Sequence, residues 1–176
     1  ECEAADYFDE KVSDFFSDCK IKFKEDNIDE KILVWLQGES DSQLGYDLYL
    51  EQLSKLHKKC KNLGFTKFFM IRVGYWGDDK ILDIMRAQED FCKTNDDAYM
   101  LTRVCSFMKF YGTNEQIYKC NIPNEFMYCR DSFYGFDNQH INEKGFKIIA
   151  EYAVPNILRI LLDNENPILE TEIVKI

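Results

Sequence analysis

The chain has 176 residues, of which 45% are hydrophobic and 31% charged, with 8 glycines and only 3 prolines, so collagen-like, low-complexity and disordered classes are excluded and one globular domain is expected. A net charge of −10, from 32 acidic against 22 basic residues, argues against sequence-independent binding to nucleic acid or anionic lipid, which needs a positive field. A neutral or weakly charged ligand fits better, and a chain of this length builds a core without disulfides or a structural metal.

In chain order, Asp6 to Glu25 places Phe8, Val12, Phe15, Phe16, Cys19 and Phe23 at spacings of three and four, which predicts an amphipathic helix. After a polar break, Lys31 to Leu36 is a short apolar run rich in β-formers, as expected of a strand covered on both faces. Gln37 to Leu44 is a polar loop, and Gly45 to Leu63 repeats Leu48, Tyr49, Leu53, Leu56 and Cys60 with helical period before Gly64, a natural residue just past a helix end. A second strand is expected over Lys67 to Val73. A turn-rich connection, Gly74 to Asp79, leads to a helix over Asp79 to Thr94 with Ile81, Ile84, Met85, Phe91 and Cys92 facing inward.

A third strand is expected over Ala98 to Val104. Cys105 to Tyr134 has no clean period and reads as a long excursion framing a site. The last helix is expected from about Asn142 to Leu162, kinked at Pro155, which has no N–H to give to the preceding turn. Alternating helices and strands predict a three-layer α/β/α domain with a mostly parallel sheet over residues 1–163, and residues 164–176 read as a tail or linker.

The seven cysteines include no C-x-x-C pair, so neither a zinc ribbon nor a dithiol redox centre is encoded, and most read as small buried hydrophobes. That usage favours a cytoplasmic location, with secretion or a periplasm as the alternative. The most apolar stretch, Ile148 to Leu162, is interrupted by Glu151, Asn156 and Arg159, so no membrane span is expected.

In an open parallel sheet, ligands gather at the carboxyl ends of the strands. Trp35-Leu36-Gln37-Gly38-Glu39-Ser40-Asp41 falls there and offers an amide donor, a glycine, two carboxylates and a hydroxyl. The competing reading is an ordinary polar turn with Asp41 or Ser42 capping the following helix. A second group, Tyr134 to His140, precedes the last helix. Asp137, three residues ahead of His140, can accept the Nδ1 proton and leave Nε2 as a general base. The other histidine, His57, sits among Lys55, Lys58 and Lys59 and reads as a solvated side chain.

Together these residues resemble the SGNH (GDSL-like) hydrolase superfamily, in its sialate O-acetylesterase and acetylxylan-esterase-like branch. Trp35 to Asp41 is similar to that branch's W-H-Q-G-E-S-D block, Met85-Arg86-Ala87-Gln88 to its later R-x-x-Q segment, and Asp137 to His140 to its D-x-x-H block. The resemblance implies a flavodoxin-like SGNH fold and a serine-dependent esterase that removes O-acetyl groups from a carbohydrate, with no cofactor and no metal. It makes His140 the base, Asp137 its orienting acid and Gln37 an oxyanion donor, with Gly38, Glu39, Arg86 and Gln88 shaping the loop or binding substrate. Position 36 is Leu where the branch has His. No Gly-x-Ser block precedes Lys31, so the expectation is that the first strand and the nucleophile lie upstream of this chain, which alone would be weak or inactive.

Four other readings remain. Gly38 to Ser42 partly imitates a nucleophile elbow, with Ser40 as nucleophile and Asp137 and His140 as its partners. A glycan-binding module would use Trp35, Tyr75, Trp76, Tyr111, Phe133 and Tyr134 as stacking surfaces. A metal-dependent hydrolase would use Glu39, Asp41, Asp137 and His140 as ligands. The same triad would also serve an O-acetyltransferase.

Overall fold

The computed structural model describes residues 28–74, 79–108, 133 and 140–171. Among them three strands, β1 (Ile32–Trp35), β2 (Lys67–Ile71) and β3 (Ala98–Thr102), form one sheet in the order β1-β2-β3, all parallel. Parallel neighbours need a crossover, and two helices supply it: α1 (Gly45–Asn62) between β1 and β2, and α2 (Lys80–Thr94) between β2 and β3. A short helix, α3 (Val104–Met108), leaves β3 directly, and α4 (Glu143–Leu158) continues as a π-helical turn over Arg159–Asp163. The expected α/β class with a parallel sheet is therefore the observed one. The predicted first helix lies outside the described residues.

The register assigns the two faces. Leu33 pairs with Phe68, Trp35 with Met70, and Phe68 and Met70 with Ala98 and Met100, so these six share a face. Phe68 meets the ring of Phe91 from α2 edge-on at 5.3 Å and that of His57 from α1 at 5.8 Å, which puts both crossover helices on this side. Phe69 meets Tyr99 on the opposite face, and it is also fully buried. Covering both faces of β2 is why its sequence is a continuous apolar run with no alternation. Asn156 of α4 donates to the Leu101 carbonyl at 2.7 Å, tying that helix to β3, an arrangement compatible with three layers.

The boundaries follow local chemistry. Helix α1 ends where Gly64 adopts φ +83°, the left-handed conformation that returns the chain to β2. Its start is not capped by Asp41 or Ser42: the N-cap position is Leu44, with no side-chain hydrogen bond. By contrast Asn142 caps α4, its Oδ1 accepting from the Gly145 N–H at 3.0 Å. Helix α4 passes through Pro155 without a break and departs from α geometry only at Arg159.

Residues 164–171, expected as tail or linker, are docked on the domain. Asn156 Oδ1 accepts from the Ile168 N–H at 2.8 Å, and Thr102 Oγ1 and the Arg103 N–H donate to the Glu170 carboxylate at 2.6 and 2.7 Å. His57 also departs from the sequence reading. It is buried between Phe68 and Phe91, with Nε2 2.9 Å from Asp97 Oδ1 although without the alignment of a hydrogen bond. Its lysine neighbours in sequence sit on other faces of α1, because side chains one or two residues apart on a helix diverge.

Candidate functional site

The carboxyl end of β1 opens into Gln37-Gly38 and a short 3₁₀ turn over Glu39–Asp41. Gly38 has φ +142°, a conformation open to glycine. A Cβ there would lie 2.8 Å from Tyr49 Oη and 2.9 Å from Ile84 Cγ2, so the backbone runs hard against α1 and α2. The glycine is required by both conformation and space.

Three side chains hold this loop. Tyr49 Oη of α1 donates to the Gln37 carbonyl at 2.8 Å, and Gln88 Nε2 of α2 donates to the same carbonyl and to Tyr49 Oη, each at 2.9 Å. Gln88 Oε1 accepts from the Val73 N–H at 3.0 Å, just past β2. One buried amide thus links the carboxyl ends of two strands. Burial pushes the Tyr49 hydroxyl well above the usual phenol range, which keeps it a neutral donor. The Gln37 side chain is fixed in turn by Asp41, whose Oδ2 accepts from Gln37 Nε2 at 2.6 Å. An amide nitrogen carries two hydrogens, so one remains for another acceptor.

Glu39 is the second carboxylate of the loop. Burial pushes its carboxyl above the usual range and Asp41 adds to this, against its own backbone hydrogen bond and the favourable charge of His140. His140, exposed and immediately before α4, therefore stands within electrostatic reach of the loop after β1. Gln37, Gly38 and Glu39 follow the carboxyl end of β1, and Gln88 reaches them from α2. Asp137 lies outside the described residues. Arg86 does not join the group: it is exposed, pairs with Asp83 one turn back on its own helix and stacks over the Tyr46 ring at 5.3 Å.

A second network lies behind the loop. Arg72, with no exposed surface, gives Nη1 to Glu89 Oε1 at 2.9 Å and Nη2 to Ser106 Oγ at 3.0 Å. Arg103 grips the same Glu89 through Nε and Nη2 at 2.6 and 2.8 Å. Sequence reading passed over this set and over Tyr49 as more than core. A signal existed for Gln88, which falls on the inward stripe of Ile81, Ile84, Met85 and Phe91, where a polar residue needs partners.

The other site readings find these surroundings. Ser40 is exposed within the 3₁₀ turn. Of the aromatic set, Trp35 packs against the core and Phe133 is buried at 1% exposure, while Tyr75, Trp76, Tyr111 and Tyr134 lie outside the described residues. Among the described residues no group of three or more His, Cys, Asp or Glu is placed to hold a metal ion. Cys60, Cys92 and Cys105 are free thiols there, and burial pushes Cys60 and Cys92 up to about 12. No described helix is long and apolar enough to cross a membrane.

The class that fold and site define is an α/β protein whose parallel strands carry a candidate ligand site at their carboxyl ends. Comparison of the chain with protein-family models, with curated proteins and with solved structures finds no match.

Proposed function

We propose that this chain carries the base and the oxyanion-side loop of a serine-dependent carbohydrate O-acetylesterase whose nucleophilic serine lies upstream of it. The observation that carries the reading is the immobilised Gln37 loop, held at its carbonyl by Gln88 and Tyr49 and at its amide by Asp41. Electrostatic stabilisation by donors fixed in advance is the largest single contribution in acyl transfer, because no reorganisation is needed as charge develops. The charge of His140, favouring the Glu39 carboxylate of that loop, adds the second support.

In the reaction, His140 Nε2 takes the serine proton as Oγ attacks the acetyl carbonyl carbon, and Asp137 accepts from Nδ1. The remaining Gln37 amide hydrogen meets the oxyanion. The imidazolium then returns its proton to the departing sugar oxygen, and water, deprotonated by the same imidazole, releases acetate from the acyl-enzyme. Transfer of the acetyl group to a second sugar hydroxyl would use the same residues.

The test is acetate release from an O-acetylated sugar by the natural polypeptide that contains this chain. His140→Ala is expected to lower turnover by roughly 10³-fold or more, and Gln37→Ala to lower kcat by roughly 10²- to 10³-fold. Hydrolysis untouched by either change would overturn the proposal.

A further inference from the structure

Residues 164–171 are fastened to the domain at three points and lie open between them. Asn164, at φ +53°, turns the chain out of the π-helical turn, and Arg159 then holds the start, pairing with Glu165 and giving Nε to the Asn166 carbonyl at 3.2 Å. Asn156 holds the middle through both the N–H and the carbonyl of Ile168. Glu170 holds the end: its carboxylate accepts from Thr102 Oγ1 and the Arg103 N–H, and its carbonyl accepts from Arg103 Nη1 at 3.1 Å. Of the two aliphatic side chains here, Leu169 packs against the core while Ile168 is 67% exposed. A segment held by point contacts, with little buried apolar surface, opens at a lower free energy than the strands it rests on.

The end point is the one that reaches inward. Thr102 closes β3, so Glu170 sits at the carboxyl ends of the parallel strands, the end at which the Gln37 loop leaves β1. Arg103 carries the contact onward. Its Nε and Nη2 grip Glu89 of α2, which also accepts from Nη1 of the fully buried Arg72, the residue after β2. Among the described residues these contacts join two guanidiniums to two carboxylates, one of them supplied by the C-terminal segment. Removing one partner from a buried charge cluster leaves the others undercompensated. With Glu170 withdrawn, Arg72 and Arg103 would share Glu89, and Arg103, whose side chain is already 20% exposed, would turn toward solvent. Glu89 is next to Gln88, and Arg72 is next to Val73, whose N–H donates to Gln88 while the Gln88 nitrogen donates to the Gln37 carbonyl.

We propose that residues 164–171 form a latch on the candidate site, closed in this structure, in which the Glu170 carboxylate acts through Arg103, Glu89 and Arg72 to fix the end of β2 and with it the Gln37 loop. Opening the latch loosens the loop without unfolding the sheet, which makes the C-terminal segment a control on the site. The latch is independent of the esterase reading, since the loop is held whatever it binds.

Amide hydrogen exchange, read residue by residue in the natural polypeptide without substrate, is the test. Glu170→Ala is expected to speed exchange at Arg72 and Val73 by roughly tenfold or more relative to Phe68, whose N–H donates to the Asp97 carbonyl at the other end of the same strand. Arg103→Met keeps the main-chain donor to Glu170, removes the grip on Glu89 and should have the same effect. The two changes together should exceed the larger one alone by less than about twofold. Glu165→Ala, which removes only the ion pair with Arg159 at the start of the segment, should leave Val73 unchanged. Exchange at Val73 unmoved by Glu170→Ala would overturn the latch, as would equal acceleration at Phe68 or an equal response to Glu165→Ala. Fully additive effects of the two main variants would overturn the route through Arg103. Hydrolytic activity enters none of these outcomes.

Discussion

Gln88, in the middle of the second crossover helix, donates to the main-chain carbonyl of Gln37, fifty-one positions earlier, at 2.9 Å. A single amide thereby sets the height of the loop after β1 against the end of β2, because its oxygen also takes the Val73 N–H.

Replacing Gln88 with Met keeps the volume and removes all three of its hydrogen bonds, to the Gln37 carbonyl, Tyr49 Oη and the Val73 N–H. The buried Val73 N–H loses its partner, and the predicted loss is about 2–3 kcal/mol in urea unfolding. The proposed esterase activity should fall through kcat more than KM, since the misplaced loop would serve the transition state.

Gly38→Ala combines a disfavoured backbone with contacts below 3.0 Å to Tyr49 and Ile84. A cost of about 3 kcal/mol or more is expected. Gly64 is the control, because a Cβ there comes no closer than 3.4 Å to anything, at a lysine side-chain end. Its left-handed φ alone predicts about 1–2 kcal/mol for Gly64→Ala. Equal losses for the two variants in chemical denaturation would contradict the packed-loop account.

Glu89→Gln leaves the fully buried Arg72 and the half-buried Arg103 without their shared anion. Breaking a buried pair from one side is expected to cost about 3–5 kcal/mol. Glu51→Gln, which breaks the exposed pair with Lys55, should cost less than about 1 kcal/mol. Thermal unfolding of the two variants side by side measures the contrast.

Glu39 has a carboxyl held above its unfolded value, chiefly by burial. The folded state therefore binds its proton more tightly than the unfolded chain does, and the associated stability is present at acid pH and lost as pH rises through the folded value. Glu39→Gln has no charge to bury. Its Tm relative to the parent protein should increase between about pH 4 and pH 7.5, and a flat difference would show that the carboxylate is not desolvated.

Much of the scaffold is legible in the sequence. Ile32 to Trp35, Phe68 to Ile71 and Ala98 to Thr102 are apolar runs too short for helices, and the stripes of α1 and α2 carry the 3.6-residue period. Period is a local property, written in neighbouring residues. The expected kink at Pro155 is answered instead by a π turn four residues later, and α3 was missed because five residues are too few to show a period.

What the chain determines by itself is which segments become strands and helices; the expectation that the strand before Gln37-Gly38 is covered on both faces is corrected, because β1 lies at the edge of the described sheet and its Val34 is 49% exposed. Only the tertiary structure decided that Tyr49 and Gln88 converge on the Gln37 carbonyl, that Arg86 points to solvent two residues before buried Gln88, and that His57 leaves water for Asp97. The reason is geometric: partners twelve to fifty-one residues apart in sequence meet only once the crossovers have stacked the strands, and nothing in the spacing of either residue encodes that meeting.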